Sequence, residues 1–226
     1  MKKESFLIQT SLADQARKAL REEIITGRLR PNERIDLAEL AQRWNISSTP
    51  LRDAVKALEA TGLVEIQPRL GVFVAALDRE GLRETFELRI AIEGMASRLA
   101  ALRMPERVAE DALARYRAAG TARLNQEREL ARIDELVHDL VHEHCGNRRL
   151  QRMAESVRDL VVWSRQTIIR HMPEAYLTTL PEHIAICEAL AARDPDGAEA
   201  TMRRHLEASM VRIDDYLDRH PSEAAV

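Results

Sequence analysis

The sequence predicts a mainly α protein: an N-terminal winged helix-turn-helix followed by an antiparallel all-α bundle of about six helices. Three observations predict it. Short β-prone runs occur only before residue 75. From residue 79 onward Leu, Ile, Val, Ala and Met recur with helical period through several segments. The two regions also differ in charge, since residues 1–77 carry 12 Lys/Arg against 10 Asp/Glu and the remainder 22 against 27, with all seven histidines in the remainder. A boundary is therefore expected near Ala75 to Asp78, giving domains 1–77 and 78–226.

Composition narrows the class. At 226 residues, 45% apolar and 31% charged, with 8 Gly and 8 Pro, the chain can bury two cores and is neither disordered nor collagen-like. No run approaches the roughly 18 apolar residues of a membrane span, and the opening MKKESFLIQTSLADQ lacks the apolar stretch of a secretory signal. A cytoplasmic location is expected, with no membrane partner. Cys145 and Cys187 form no close-spaced pair and are expected to remain thiols.

The elements follow in order. Ser11 with Asp14 three residues on forms a capping box for a helix through about Thr26, which Gly27 stops. After the turn Leu29-Arg30-Pro31-Asn32, Asp36 caps a short helix with Leu37, Leu40 and Ala41 inward, and Asn45 breaks it. Ser47 caps a third helix carrying Leu51, Ala54, Val55 and Leu58, ended by Gly62. Leu63 to Ile66 and Gly71 to Val74 then read as a hairpin around Gln67-Pro68-Arg69-Leu70. The bundle helices are expected at 79–103, 105–121, 124–145, 147–171, 173–193 and 195–219. Their breaks fall at Met104-Pro105, Gly120, Gly146-Asn147, Met172-Pro173 and Asp194-Pro195, and the tail Pro221 to Val226 should fray.

Two constellations carry chemistry. The second helix of a helix-turn-helix enters the DNA major groove, so polar side chains near its start must face base edges. Ser47, Ser48, Thr49 and Arg52 fit that placement. Arg52 offers a fork to guanine or phosphate, and the hydroxyls can bind either. Arg34 in the preceding turn, Lys56, and Arg69 at the hairpin tip add positive charge, while Gly71 lets the backbone approach the duplex. Each has a plainer reading: Ser47 as a helix cap, Arg52 and Lys56 as solvated neighbours of Asp53 and Glu59.

The stretch Gly27 to Arg34, then Leu37-Ala38-Glu39-Leu40-Ala41, Ile46 to Val55, Leu58, Gly62-Leu63-Val64, Pro68 and Gly71-Val72-Phe73-Val74 strongly resembles the winged helix of GntR-family bacterial regulators. The resemblance implies operator contacts at Arg34, Ser48, Thr49, Arg52 and Gly71. Two positions depart from it: Ser48 stands where the family usually has arginine, and Asp53 where glutamate is usual.

In the second constellation, Asp134 and His138 lie four residues apart and share a helix face. His183 begins an apolar-patterned stretch, and His205 sits beside Met202 and Leu206 on an inward face. Convergence of these four groups would hold a divalent transition ion; without it, the first two are a surface pair and the others hydrogen-bonded core histidines.

Residues 79–219 resemble the FCD ligand-binding domain, in its six-helix VanR-like form, through Leu88-Arg89 and Glu93, Ile133 to His138, Asn147 to Leu150, His183 to Leu190, Asp194, and Met202 to Leu206. That resemblance implies a metal held by Asp134, His138, His183 and His205, with zinc, nickel and manganese all open. It also implies a small organic acid effector contacted by Arg89, whose alternative partner is Glu93, four residues on. Asn147 is expected to cap its helix.

The string His138-Asp139-Leu140-Val141-His142 is a poor match to a helical zinc-protease motif, which needs Glu between the histidines. His142 and His144 read as outward polar residues. The expected function is a homodimeric transcriptional regulator, a repressor on operator DNA, and not an enzyme. The alternatives are a sensor in which the ion itself is the signal and a metal-dependent hydrolase.

Overall fold

The computed structural model describes residues 11–76, 78–121, 127–171 and 175–220. Two compact units divide the chain at residues 76 and 77. Among the described residues lie nine helices and one three-stranded sheet.

The first unit contains α1 (Leu12–Ile25), β1 (Arg34–Ile35), α2 (Leu37–Arg43), α3 (Ser48–Glu59), β2 (Val64–Gln67) and β3 (Gly71–Val74). Capping explains the helix starts. Ser11 Oγ accepts from Asp14 N at 3.0 Å and donates to the Asp14 carboxylate at 2.7 Å. Asp36 Oδ1 accepts from Ala38 N and Glu39 N at 2.9 and 3.0 Å. Asn45 takes a left-handed conformation (φ 52°) between α2 and α3, making the tight turn that sets their crossing. The apolar stripe Leu51, Ala54, Val55 and Leu58 is buried against Leu20 and Ile24 of α1, so the opposite face of α3 is left to solvent.

The hairpin expected from the sequence forms, with β2 and β3 antiparallel and Val64 opposite Val74. A third strand was not expected. Arg34 and Ile35 pair with Phe73 and Val72 on the far edge of β3, giving the order β1-β3-β2. Arg34 thus lies in the sheet rather than in a turn. Ile35 is buried and Arg34 exposed, the alternation a half-covered strand requires.

The second unit contains α4 (Arg79–Arg103), α5 (Glu106–Thr121), α6 (Glu127–His144), α7 (Arg148–His171), α8 (Ala175–Ala191) and α9 (Pro195–Arg219). Asp78 and Asp194 cap α4 and α9 through Gly81 N and Gly197 N, and Asn147 caps α7 through Arg149 N and Leu150 N. Helix α4 packs along α9 and also meets α6, α7 and α8. At Gly94 the two long helices approach so closely that a Cβ would lie 3.2 Å from Arg203 Cγ.

Gly120 does not end its helix, since α5 continues through Thr121. Pro181 lies inside α8, and His183 sits at the midpoint of that helix rather than at its start. The expected helix starts at 124 and 173, the Met172-Pro173 break and the frayed tail from Pro221 lie outside the described residues.

Leu58 is fully buried between α1 and α3. Leu58→Ala should therefore lower the stability of the N-terminal unit by about 2–5 kcal/mol. Asp36→Ala, which removes a cap, should cost about 1 kcal/mol. Chemical denaturation of both variants checks the order; an equal, small effect would contradict the packing of α3.

Candidate functional site

Burial gathers the histidines. His138 on α6, His183 on α8 and His205 on α9 are 3%, 0% and 4% exposed, and their ligand-capable atoms all lie within 4.8 Å of one another. The ring centroids are 4.5 to 5.5 Å apart. His183 Nε2 is 3.3 Å from His205 Nε2 and 3.8 Å from Asp134 Oδ1. Three of the four residues singled out from the sequence thus form one cluster, and the fourth, Asp134, lies at its more exposed side next to His183.

Two carboxylates orient two of these rings. His138 Nδ1 is hydrogen-bonded to Glu93 Oε2, and His205 Nδ1 to Glu182 Oε2 at 2.7 Å. Each carboxylate is held in turn by an arginine. Arg89 Nε donates to Glu93 Oε1 at 2.8 Å, both side chains being 4% exposed. Arg212 forks Glu182 at 2.7 and 2.9 Å and also donates to Ser209 Oγ at 2.8 Å. Burial alone would raise the Glu182 carboxyl, but the hydrogen bonds from His205 and Arg212 outweigh it and hold its pKa at about 2.

The donor set fits a metal. A divalent ion bound to imidazole at roughly 2.0–2.1 Å in a tetrahedral site separates neighbouring ligand atoms by about 3.3 Å, which is the spacing of the two Nε2 atoms. With Nδ1 of His138 and His205 engaged by carboxylates, the Nε2 side of each ring is the one left for coordination. Three nitrogens and one oxygen suit a transition ion.

Tyr116 on α5 supports the cluster from below and has no counterpart in the sequence reading. Fully buried, its hydroxyl donates to Ile133 O at 2.7 Å and accepts from Val137 N at 2.9 Å, the two backbone groups that an α-helix pairs with each other. It thereby grips α6 between Asp134 and His138, and its ring lies 5.3 Å from that of His183.

A cavity of about 70 Å³ adjoins the histidines. Arg89, Glu93, His138, His142, Val157 and Arg158 are among its lining residues. His142 therefore faces this space rather than pointing outward, because it lies one turn after His138 on the same face of α6. Arg89 serves both readings given to it: it pairs with Glu93 and lies on the cavity wall, its guanidinium carbon 4.9 Å from the Phe86 ring centre.

In the N-terminal unit, Ser47, Ser48, Thr49 and Arg52 are all exposed at the start of α3. Ser47 occupies the N-cap position, yet its side chain makes no capping hydrogen bond, contrary to the expected cap. Its extended backbone (ψ 167°) marks the helix start, and the hydroxyl stays at the surface. Gly71 has φ +126°, and a Cβ there would sit 3.0 Å from Arg34 Nε. The positive φ favours glycine there, while the exposed Arg34 side chain could swing aside for a Cβ. Arg69 occupies the left-handed region (φ 67°) at the tip of the hairpin.

The domain families agree with this architecture. The bacterial regulatory protein gntR family matches residues 12–74, and the FCD domain matches residues 84–208, more than half of the chain. The chain belongs to the GntR family of bacterial regulators and carries an FCD domain. It is 28% identical to the uncharacterized HTH-type transcriptional regulator YdhC of Bacillus subtilis over 88% of this chain and 89% of that one. It is also 28% identical to the HTH-type transcriptional repressor GlaR of Escherichia coli, over 83% and 89%. The structure of McbR/YncC from E. coli shares the fold, with a TM-score of 0.71 at 18% identity, covering 94% of this chain and all of that one. The protein is accordingly a DNA-binding transcriptional regulator and not an enzyme. No described helix is long and apolar enough to cross a membrane.

Cys145 and Cys187 are free and buried, and burial, with the nearby Glu188 charge, pushes the Cys187 thiol up to about 12. A disulfide reagent at neutral pH should therefore modify neither rapidly in the folded protein and both after denaturation. Rapid reaction of Cys187 in the native state would contradict its placement.

Proposed function

We propose that the protein is a homodimeric repressor whose grip on operator DNA is controlled by a small organic acid bound beside a divalent transition ion in the FCD bundle. One observation carries the reading: the buried convergence of His138, His183 and His205, with Asp134 next to His183. These four residues would hold the ion. When bound, it supplies a Lewis-acid anchor for a carboxylate group.

The remaining parts follow from the chain's own side chains. Arg89 lies on the wall of the cavity that adjoins His138, where an organic acid would share its guanidinium with Glu93. A water-sized group needs about 10–15 Å³ by the same measure, so the space accommodates several heavy atoms, the size of a small acid.

For DNA, Ser48, Thr49 and Arg52 would meet base edges and phosphates from α3, Ser47 would stand at the helix start, and Arg34 with the Gly71 backbone would contact the duplex beside the wing. Replacing the family's usual arginine by Ser48 removes a fork, so Arg52 carries more of the base reading here. Two copies are required because one winged helix covers few bases. Effector binding would shift the population away from dimers whose heads match the half-site spacing, and by linkage the operator-bound dimer would bind effector more weakly.

Two measurements test this. His183→Ala combined with His205→Ala should abolish metal uptake by elemental analysis and remove the stabilisation that metal gives the native protein, about 2.7 kcal/mol at a hundredfold excess over Kd; undiminished occupancy would reject the ligand set. Arg52→Ala should lose operator retardation in a gel shift while keeping its melting temperature. In the same gel shift, release of DNA by metal alone, with no organic acid, would make the ion the signal.

A further inference from the structure

We infer that Glu93 and Glu182 are positioning residues of the metal centre: each holds the Nδ1 side of one histidine, so that Nε2 of His138 and of His205 turns its lone pair toward the ion. The inference rests on the reading of the cluster as a metal site and adds residues that no ligand pattern in the sequence includes.

The observation behind it is a repeated arrangement built from different helices. Arg89 and Glu93 on α4 reach His138 on α6, while Arg212 on α9 and Glu182 on α8 reach His205 on α9. In both cases an arginine engages the carboxylate, and a carboxylate oxygen takes up the imidazole Nδ1. A carboxylate paired with arginine has only acceptor capacity, so Nδ1 must be the protonated nitrogen of each neutral ring. Nε2 is then the basic one.

A purely structural account covers only part of this. An i, i+4 pair such as Arg89 and Glu93 stabilises little when solvated, and burying both charges costs free energy that the pair alone does not recover. Extending each pair to a histidine gives the carboxylate, buried in Glu93 and partly exposed in Glu182, a further charge-assisted hydrogen bond and fixes the ring rotation. The two rings fixed in this way belong to different helices and converge on one space. Carboxylates that orient metal-bound imidazoles in this manner change metal affinity by about 10- to 100-fold when replaced.

The test uses the full-length protein stripped of metal. Two-dimensional NMR of the histidine ring nitrogens should find His138 and His205 as Nδ1–H tautomers, and Glu182→Leu should convert His205 to a tautomer mixture. Zinc titration against a competing chelator should show 10- to 100-fold weaker binding by Glu182→Gln than by wild type. Glu182 is partly exposed, so that variant is expected to fold. Should Glu93→Gln fail to fold because Arg89 loses its buried partner, the His138 tautomer in the wild-type protein decides for Glu93. Nδ1 found bare in both rings, or wild-type zinc affinity in Glu182→Gln, would overturn the inference. Failure of the wild-type protein to take up zinc, nickel or manganese would instead overturn the reading of the centre itself.

Discussion

Three imidazoles inside a helical bundle form the constraint around which the second unit is organised. A buried polar ring without partners costs several times what its hydrogen bonds return at the surface. The bundle meets that demand for two of the rings with carboxylates that are themselves held by arginines, Glu93 by Arg89 and Glu182 by Arg212, while the Tyr116 hydroxyl engages the backbone of α6 beside them. Glu93 with Arg89 brings in α4 and Tyr116 brings in α5, while Glu182 and Arg212 tie together α8 and α9, which already carry His183 and His205. Helix α4 contributes through Arg89 and Glu93, α5 through Tyr116, α6 through His138, α8 through Glu182 and His183, and α9 through His205 and Arg212. Polar satisfaction of the cluster therefore specifies which helices must meet, a task that apolar packing alone would leave loosely determined.

The first unit solves a different problem with simpler means. One face of α3 is consumed by the core, and the helix begins without a side-chain cap, so its opening hydroxyls remain at the surface. On the sheet, β1 places Arg34 above Gly71, which has no Cβ to press against it. Surface chemistry here follows from what the backbone leaves uncovered.

Much of this was legible in the chain. Proline, glycine and capping residues marked the ends of α4 and α9, because those signals act locally through φ and through orphan N–H groups. Asp134 and His138 were recognisable from helical spacing, and the family resemblance joined them to His183 and His205. What escaped depended on distant partners. β1 is two residues long and exists only because β3 offers a free edge. The inward turn of His142 depends on the cavity beside α7. Pro181 went unremarked in the sequence, and α8 continues through it. Glu182 carried a faint signal: it precedes His183 directly, and Arg212 follows His205 by seven residues, two turns along the same face of α9. Tyr116 carried none, since a buried tyrosine in a helix is ordinarily just bulk.

That tyrosine has an implication for anyone wishing to rebuild the centre elsewhere. Copying Asp134, His138, His183 and His205 onto other helices would reproduce their spacing along the chain but not the anchor on α6, where a phenolic oxygen meets both the carbonyl of Ile133 and the amide of Val137. A phenylalanine in its place would keep the volume and lose both hydrogen bonds. A transplant of the histidine cluster would therefore have to carry Tyr116 along with the carboxylates that hold the rings, although its hydroxyl touches only backbone.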